Sequence, residues 1–431
     1  MRIEIPHGKG TQTLTVADER LRAVLTPTHE DHEAADQQAL VLQALANPIG
    51  SAPLHELAKG KDKIVVITSD HTRPLPSAIT LPLYLAEIRK GNPDADITIL
   101  IATGVHRSPT EAEMRAKYGE AIVENEKLIV HNASDDSSLV LMGTLPSGGE
   151  LWLNKLVAEA DLVVSEGFVE PHFFAGFSGG RKSILPGVAG RKTVLYNHNA
   201  GFIHAPQSRQ GVLADNPIHR DMAFAAKTAK LAFILNVLLD SDKRIIAAFA
   251  GDSVQAHEAA CALCLQQTSV PAAQADIVVT SNGGYPLDQN IYQCVKGLTA
   301  AEACVREGGV IILSAGLGDG HGGEAFYHWF ADRKDAGEVM RDIVNVPAGD
   351  THMDQWQAQI LARVQQKAFC IFAADESNRQ MLEDMHMGWA PTVDAALEMA
   401  TARLGADSTV TVIPDGVGVI VTPQLSRRSS P

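Results

Sequence analysis

Short β-branched runs alternate with amphipathic stretches along most of this chain. "KIVVIT" (63–68), "DITILIATG" (96–104), "KLIVH" (127–131) and "DLVVSEG" (161–167) read as strands, with helices predicted over 78–90, near 110–118 and near 152–159. The second half repeats the scheme with "DIVVTSNGG" (276–284), a helix over 290–306, "GVIILSAG" (309–316), "FCIFAAD" (369–375) and "TVTVIPDG" (409–416). Strands that are apolar throughout are buried on both faces, which is the mark of a mostly parallel sheet covered by helices. The expected fold class is therefore α/β, with two domains of mostly parallel sheets flanked by helices. "AEADLVVSEGFVEP" and "AQADIVVTSNGGYP" share one build: a helix end, Ala-Asp, an apolar strand, then a glycine-bearing loop. Proline and small residues cluster in "TSVPAAQA" (268–275), which sets the predicted domains at 1–270 and 271–431, the second Rossmann-like. The tail "PQLSRRSSP" reads as disordered.

The polar motifs fall just after strands. "SDHTRP" follows 63–68, "TGVHRSP" follows 96–102, "EGFVEPHFF" follows 161–165 and "NGGYPLDQNIYQCVKG" follows 276–280. In open α/β sheets the carboxyl ends of the strands line the ligand crevice. Four such loops, drawn from both halves, place the expected active site in the interdomain cleft.

Composition narrows the partners. The chain has 431 residues, 45% hydrophobic and 20% charged, too long for one compact core and ordinary for a soluble globular protein. Its net charge of -15, without a Lys/Arg block, argues against nucleic acid or an anionic membrane as partner. No secretory signal and no long apolar run is evident, so a cytoplasmic location is expected. The five cysteines, an odd number inside apolar segments, fit reduced thiols, and Cys261 and Cys264 fall within a helical pattern that favours packing over redox chemistry.

The segment "GFVEPHFFAGFSGGRKSILPG" (167–187) holds the densest chemistry. "GFSGGRKS" nearly spells a P-loop, with Gly176, Lys182 and Ser183 in register. Arg181 stands where the loop needs glycine, and Pro186 falls where the following helix must run. Nucleoside triphosphate binding is therefore not expected, although Gly179, Gly180 and Arg181 could still hold one phosphate. Lys182 then has two readings: a solvated or ion-paired lysine, or the attachment point of a covalent cofactor. His172, set among phenylalanines, reads either as a core histidine or as a general base tuned by desolvation. His106, in a turn after a strand, is a second candidate, and two imidazoles from separate strand ends suit a reaction on opposite faces of one carbon. Arg73 and Lys296 are cations beside strand ends that can grip a carboxylate or pair with surface acids. Asp70 can orient Arg73 or bond a ribose hydroxyl. His198 and His204 lie in a loop without zinc spacing, and the glycines near His321, Glu324 and His328 fix no ligand geometry.

Together, "SDHTRP", "ATGVHR", "GFVEPHFFAGFSGGRKSILPG", "NHN" and "NIYQCVKG" resemble, in order and over nearly the whole chain, the nickel-pincer lactate racemases and their 2-hydroxyacid racemase/epimerase relatives. The resemblance implies nickel and pyridinium-3,5-bisthiocarboxylic acid mononucleotide, the nickel-pincer nucleotide, joined through a thioamide to Lys182. It implies His198 as the protein's nickel ligand and His106 and His172 as paired acid/base residues. Asp70, Arg73, Tyr292, Gln293, Lys296 and Trp356 match residues around the cofactor and substrate. The implied reaction moves the Cα hydrogen of a 2-hydroxyacid as hydride to the cofactor and returns it to the other face of a planar keto acid. Lactate is the first-choice substrate, with aromatic 2-hydroxyacids, malate and sugar acids as alternatives. The implied partners are that small molecule and the enzymes that make the cofactor. A non-catalytic nickel- or nucleotide-binding protein is the competing class.

Overall fold

The structure, a computed structural model, describes residues 1–27, 36–240 and 242–422. The tail read as disordered lies outside the described residues. The chain divides into two compact units, one of Met1–Thr28, Asn199–Ile203 and Gln267–Pro431, the other of His29–His198 and His204–Gln266.

The second of these units is built on a six-stranded sheet, in the order Ile245–Gly251, Leu231–Leu239, Leu162–Phe168, Lys63–Ser69, Asp96–Ala102, Lys127–Val130. Every neighbouring pair is parallel except the first, which is antiparallel. Ile64, Val66, Ile99, Ile101, Val164, Phe233 and Leu235 are buried in one core cluster with Leu81, Tyr84, Leu85 and Ile88. Those last four lie on the helix Ser77–Gly91 at helical spacing, so a single apolar stripe covers the sheet. Burial of each such side chain is worth roughly 1.5–3 kcal/mol, which outweighs the poor helix propensity of Thr80 and Pro82 in this element.

Chain order shows where a ligand belongs. From Lys63–Ser69 the chain moves outward to Asp96–Ala102 and Lys127–Val130. It then returns to Leu162–Phe168 on the other side and continues to Leu231–Leu239. The carboxyl ends of Lys63–Ser69 and Leu162–Phe168 thus flank a topological switch point.

Two expectations need correction in this unit. The helix near 152–159 begins only at Lys155, because Glu150–Asn154 is a strand paired with Leu139–Thr144. Leu151 and Leu153 are both buried there, an alternation that outweighs helical propensity. The strands Leu231–Leu239 and Ile245–Gly251 are not foreseen at all; "LAFILNVLL" is a short apolar run whose periodicity cannot separate strand from buried helix.

The other unit carries a parallel sheet in the order Gly388–Ala390, Ala368–Ala373, Val305–Ser314, Ala275–Ser281, Val410–Ile413, Leu21–Val24. The last strand comes from the amino terminus, so residues 1–28 group with the carboxyl-terminal sheet, unlike the predicted 1–270 and 271–431 division. The join is made by strand pairing and by Arg20, whose guanidinium donates to Ser408 O, Ser408 Oγ and Thr401 Oγ1 at 2.8–3.0 Å. The short segment Asn199–Ile203 also belongs here, and Gln359 Nε2 donates to Ala200 O at 2.8 Å. Among the described residues no helix is long and apolar enough to cross a membrane.

Candidate active site

The loops at the switch point carry the first pair of candidates. Asp70 follows directly on the strand Lys63–Ser69, and its carboxylate is buried. Its Oδ2 lies 2.8 Å from His106 Nδ1, and its Oδ1 accepts from Thr72 N and Thr72 Oγ1 at 3.0 and 2.5 Å. Burial pushes the Asp70 carboxyl upward. The His106 hydrogen bond and charge, the Thr72 hydroxyl and the Arg73 charge outweigh that push and hold it at about 2. An ionised carboxylate accepts only, so His106 donates from Nδ1, and a neutral His106 is the tautomer that leaves Nε2 without a proton. The His106 side chain is 40% exposed, open to a ligand, while the carboxylate behind it is not. Arg73, three residues along the same loop, is exposed.

The segment after Leu162–Phe168 supplies the second group. Pro171–His172 pairs antiparallel with Gly176–Phe177, and the Ala175 N–H donates to His172 Nδ1 at 3.3 Å. This leaves the proton of a neutral His172 on Nε2, the opposite tautomer to His106. Phe174 is the hub of the segment. Its ring centroid lies 4.6 Å from that of His172, 5.1 Å from that of His198 and 5.9 Å from Lys182 Nζ. The Gly104 N–H donates to Gly187 O at 2.9 Å, which ties the His106 loop to the loop of Lys182. Three loops that the sequence reading drew from separate strand ends are thus joined by contacts within one unit.

Lys182 lies on a short 3-10 turn, Gly180–Ser183. Gly179 precedes it at φ +75, and a Cβ there would meet Asn236 Oδ1 at 2.6 Å and Phe168 O at 2.9 Å, so only glycine fits. The Gly180 N–H donates to Asn236 Oδ1 at 2.9 Å. Arg181 is buried, and its guanidinium donates to Ala175 O at 2.7 Å, with Gly179 O and Ser178 O at 3.4 and 3.5 Å. His257 Nε2 lies 3.0 Å from Arg181 Nη1 and 2.9 Å from Ser178 O. In the expected phosphate cradle of Gly179, Gly180 and Arg181, the last two already bond within the protein. The Gly180 N–H and the Arg181 guanidinium both face inward and fold the loop that presents Lys182. Asn236 and His257 were missed. Asn236 interrupts the apolar run "LAFILNVLL", and a polar residue in such a run is itself a signal.

His198 ends the helix Arg191–Asn197 and is buried. Burial first, and then the charge of Lys182, lowers its imidazole to about 3, so it is neutral over the working pH range. His204 is exposed and outside this cluster.

In the other unit, Asn290 caps the helix Ile291–Glu302 by accepting from Gln293 N at 2.9 Å. Ile291, Cys294, Val295 and Leu298 are buried, whereas Tyr292, Gln293 and Lys296 share the half-buried face. Tyr292 OH donates to Asp354 Oδ1 at 3.1 Å, and Gln357 Nε2 donates to Tyr292 O. Trp356, on the helix Gln355–Lys367, is buried. All five cysteines are buried, and burial raises the Cys261 thiol to about 12, too high for redox duty.

Residues 7–211 match the lactate racemase N-terminal domain and residues 270–421 the lactate racemase C-terminal domain. Lactate racemases of Thermoanaerobacterium thermosaccharolyticum and Lactiplantibacillus plantarum are each 53% identical over 420 residues, 97% of this chain and 99% of theirs. The chain belongs to the lactate racemase family. The solved lactate racemase apoprotein of T. thermosaccharolyticum superposes with a TM-score of 0.95 at 53% identity, covering 98% of this chain and all of that one. A Thermotoga maritima protein at 16% identity, TM-score 0.64, shares the fold over 90% of this chain and 97% of its own.

As a member of the lactate racemase family, matched to its relatives over 97% of the chain, the protein is a racemase, an isomerase. His198 is a neutral, buried imidazole beside a lysine amine on one phenyl ring, which suits a metal held partly by a lysine-bound group. Among the described residues no group of three or more His, Cys, Asp or Glu could hold a metal.

Asp70 gives the first testable expectation. Asp70→Asn removes the charge that fixes the His106 tautomer and should lower turnover by about 10²–10⁴-fold, measured as kcat on cofactor-loaded protein. The folded carboxyl, at about 2, lies below its ordinary 3.8. Its contribution to stability is therefore full above 3.8 and lost as pH falls through about 2. The melting-temperature gap between wild type and Asp70→Asn should narrow over that acidic window.

Proposed function

We propose that this protein interconverts the D and L enantiomers of lactate, with the chemistry carried by loops at the switch point of the unit that holds Lys182. Lactate is named because both relatives at 53% identity are lactate racemases. The convergence of His172, His198 and Lys182 on the Phe174 ring is the observation that carries the site. Lys182 is assigned as the attachment point of the nickel-pincer nucleotide and His198 as the protein's nickel ligand. When bound, that group supplies a place for the Cα hydrogen to go as hydride.

The residues of this chain handle the protons. His106 Nε2 takes the hydroxyl proton of lactate, and the imidazolium that forms is stabilised by the ionised Asp70. The product hydroxyl gains its proton from His172, which must act as an imidazolium to end neutral, so the Ala175 N–H contact to Nδ1 opens in that state. In the reverse direction the two histidines exchange roles. Arg73 grips the substrate carboxylate and Lys296 polarises the developing keto group, an electrostatic contribution. Tyr292, Gln293 and Trp356 are assigned to substrate contacts, and the partners are lactate and the enzymes that supply the cofactor.

The test is a panel of enantiopure 2-hydroxyacids assayed on nickel-loaded protein. Lactate should give a kcat/KM at least ~10-fold above malate, an aromatic 2-hydroxyacid or a sugar acid, a gap of about 1.4 kcal/mol in transition-state binding. A larger acid that outruns lactate would replace it as the substrate.

A further inference from the structure

We propose that Lys117 is a positioning residue that sets the Arg73 loop for substrate binding; this rests on the racemase reading above. Residues 70–76 link the strand Lys63–Ser69 to the helix Ser77–Gly91 without regular structure of their own. Such a loop holds a binding geometry only if neighbouring elements fix it.

The helix Glu111–Tyr118 does so. Lys117 Nζ donates to Arg73 O at 2.5 Å and to Leu75 O at 2.6 Å. The next residue, Tyr118, is buried and donates from its hydroxyl to Ser69 O at 2.9 Å. The same helix holds the His106 loop at its other end. Thr110 and Glu113 form a capping box, and Arg107 pairs with both Glu113 carboxylate oxygens at 2.5 and 2.8 Å. One helix therefore brackets both the loop with Asp70 and Arg73 and the loop with His106. The buried Glu166 closes the loop from below, accepting from Thr68 Oγ1 at 2.6 Å and Thr80 Oγ1 at 2.5 Å.

An ordinary lysine keeps its ammonium in water or beside an acid. Lys117 instead places it on two backbone carbonyls, at the cost of rotamer freedom and hydration. Burial lowers its pKa to about 8, against the charges of Glu166 and Asp70, which raise it, and with that of Arg73, which lowers it further. A methylene chain alone would satisfy packing against the loop. The bonds to Arg73 O and Leu75 O are what fix the backbone from which the Arg73 guanidinium projects.

The experiment compares Lys117→Met, Lys117→Gln and Lys117→Arg as cofactor-loaded enzymes, with lactate as substrate. Lys117→Met should raise KM at least ~10-fold, as expected when a charge-assisted contact that orders a binding loop is lost, while kcat stays within about threefold. Lys117→Arg retains two donors and should return KM to within about threefold of wild type, with Lys117→Gln between them. A merely structural role lowers the active fraction, and so apparent kcat, at unchanged KM. In an Arg73→Ala background Lys117→Met should add little, because the two changes act through one contact. An unchanged KM in Lys117→Met, or in Lys117→Gln if the methionine variant does not fold, overturns the inference. So does full additivity with Arg73→Ala. A loaded wild type that turns over no 2-hydroxyacid overturns the racemase reading instead, and the two failures are told apart by the wild-type assay.

Discussion

Lys182→Ala should yield a folded chain of unmodified mass with no measurable racemase activity. The fold should survive because the loop is held by other groups. Gly179 makes the turn, the Gly180 N–H bonds to Asn236, and Arg181 ties Ala175 O to the His257 side. The mass should stay unmodified because the lysine amine is the only group assigned to bond the cofactor, and alanine offers no nucleophile. Activity should vanish rather than fall, since removing the Cα hydrogen of lactate as a proton faces the low acidity of a carbon next to a carboxylate. Intact mass, thermal melting and chiral analysis of product test the three parts together. A Lys182→Ala protein that still gains the cofactor mass would move the attachment elsewhere.

His106→Ala and His172→Ala should each lower kcat/KM by about 10²–10⁴-fold, the range of a lost general acid or base, with cofactor mass retained. The loss must be the same in both directions. Enantiomers have equal free energy in an achiral solvent, so kcat/KM from D to L equals that from L to D for every variant. The individual kcat and KM values can still diverge between directions. His106 works against an ionised Asp70, whereas His172 is walled by Phe173 and Phe174 at ring-centroid distances of 5.0 and 4.6 Å. Near-wild-type activity in either variant would remove that histidine from the proton pathway.

Much of the framework was legible because local pattern and tertiary burial agree in it. Ile64–Ile67, Ile99–Ile101 and Leu162–Val164 are unbroken apolar runs, and each lies in a central parallel strand. Leu21–Val24 was not legible, since it is a four-residue edge strand whose partner, Val410–Val412, lies at the far end of the chain. In the candidate site, His106 stood out because an imidazole in a turn right after a strand lacks an obvious packing role, and Lys182 because it closes a near-P-loop that Arg181 and Pro186 spoil. Arg181 was harder to read. In sequence it reads as a phosphate-facing cation, but its partner His257 is 76 residues away and fixes it inward. Glu166 carried a signal that went unused, a carboxylate inside the apolar run "DLVVSEGF" where burial demands hydrogen-bond partners. Lys117 carried none, since on a polar helix it resembles any solvated lysine.

The most direct test starts nickel-loaded, Lys182-modified protein on pure L-lactate and, separately, on pure D-lactate, and follows both enantiomers by chiral chromatography. Both reactions should converge on the same equal mixture, at initial rates that obey the shared kcat/KM. Loaded protein that leaves either enantiomer unchanged would contradict the assignment.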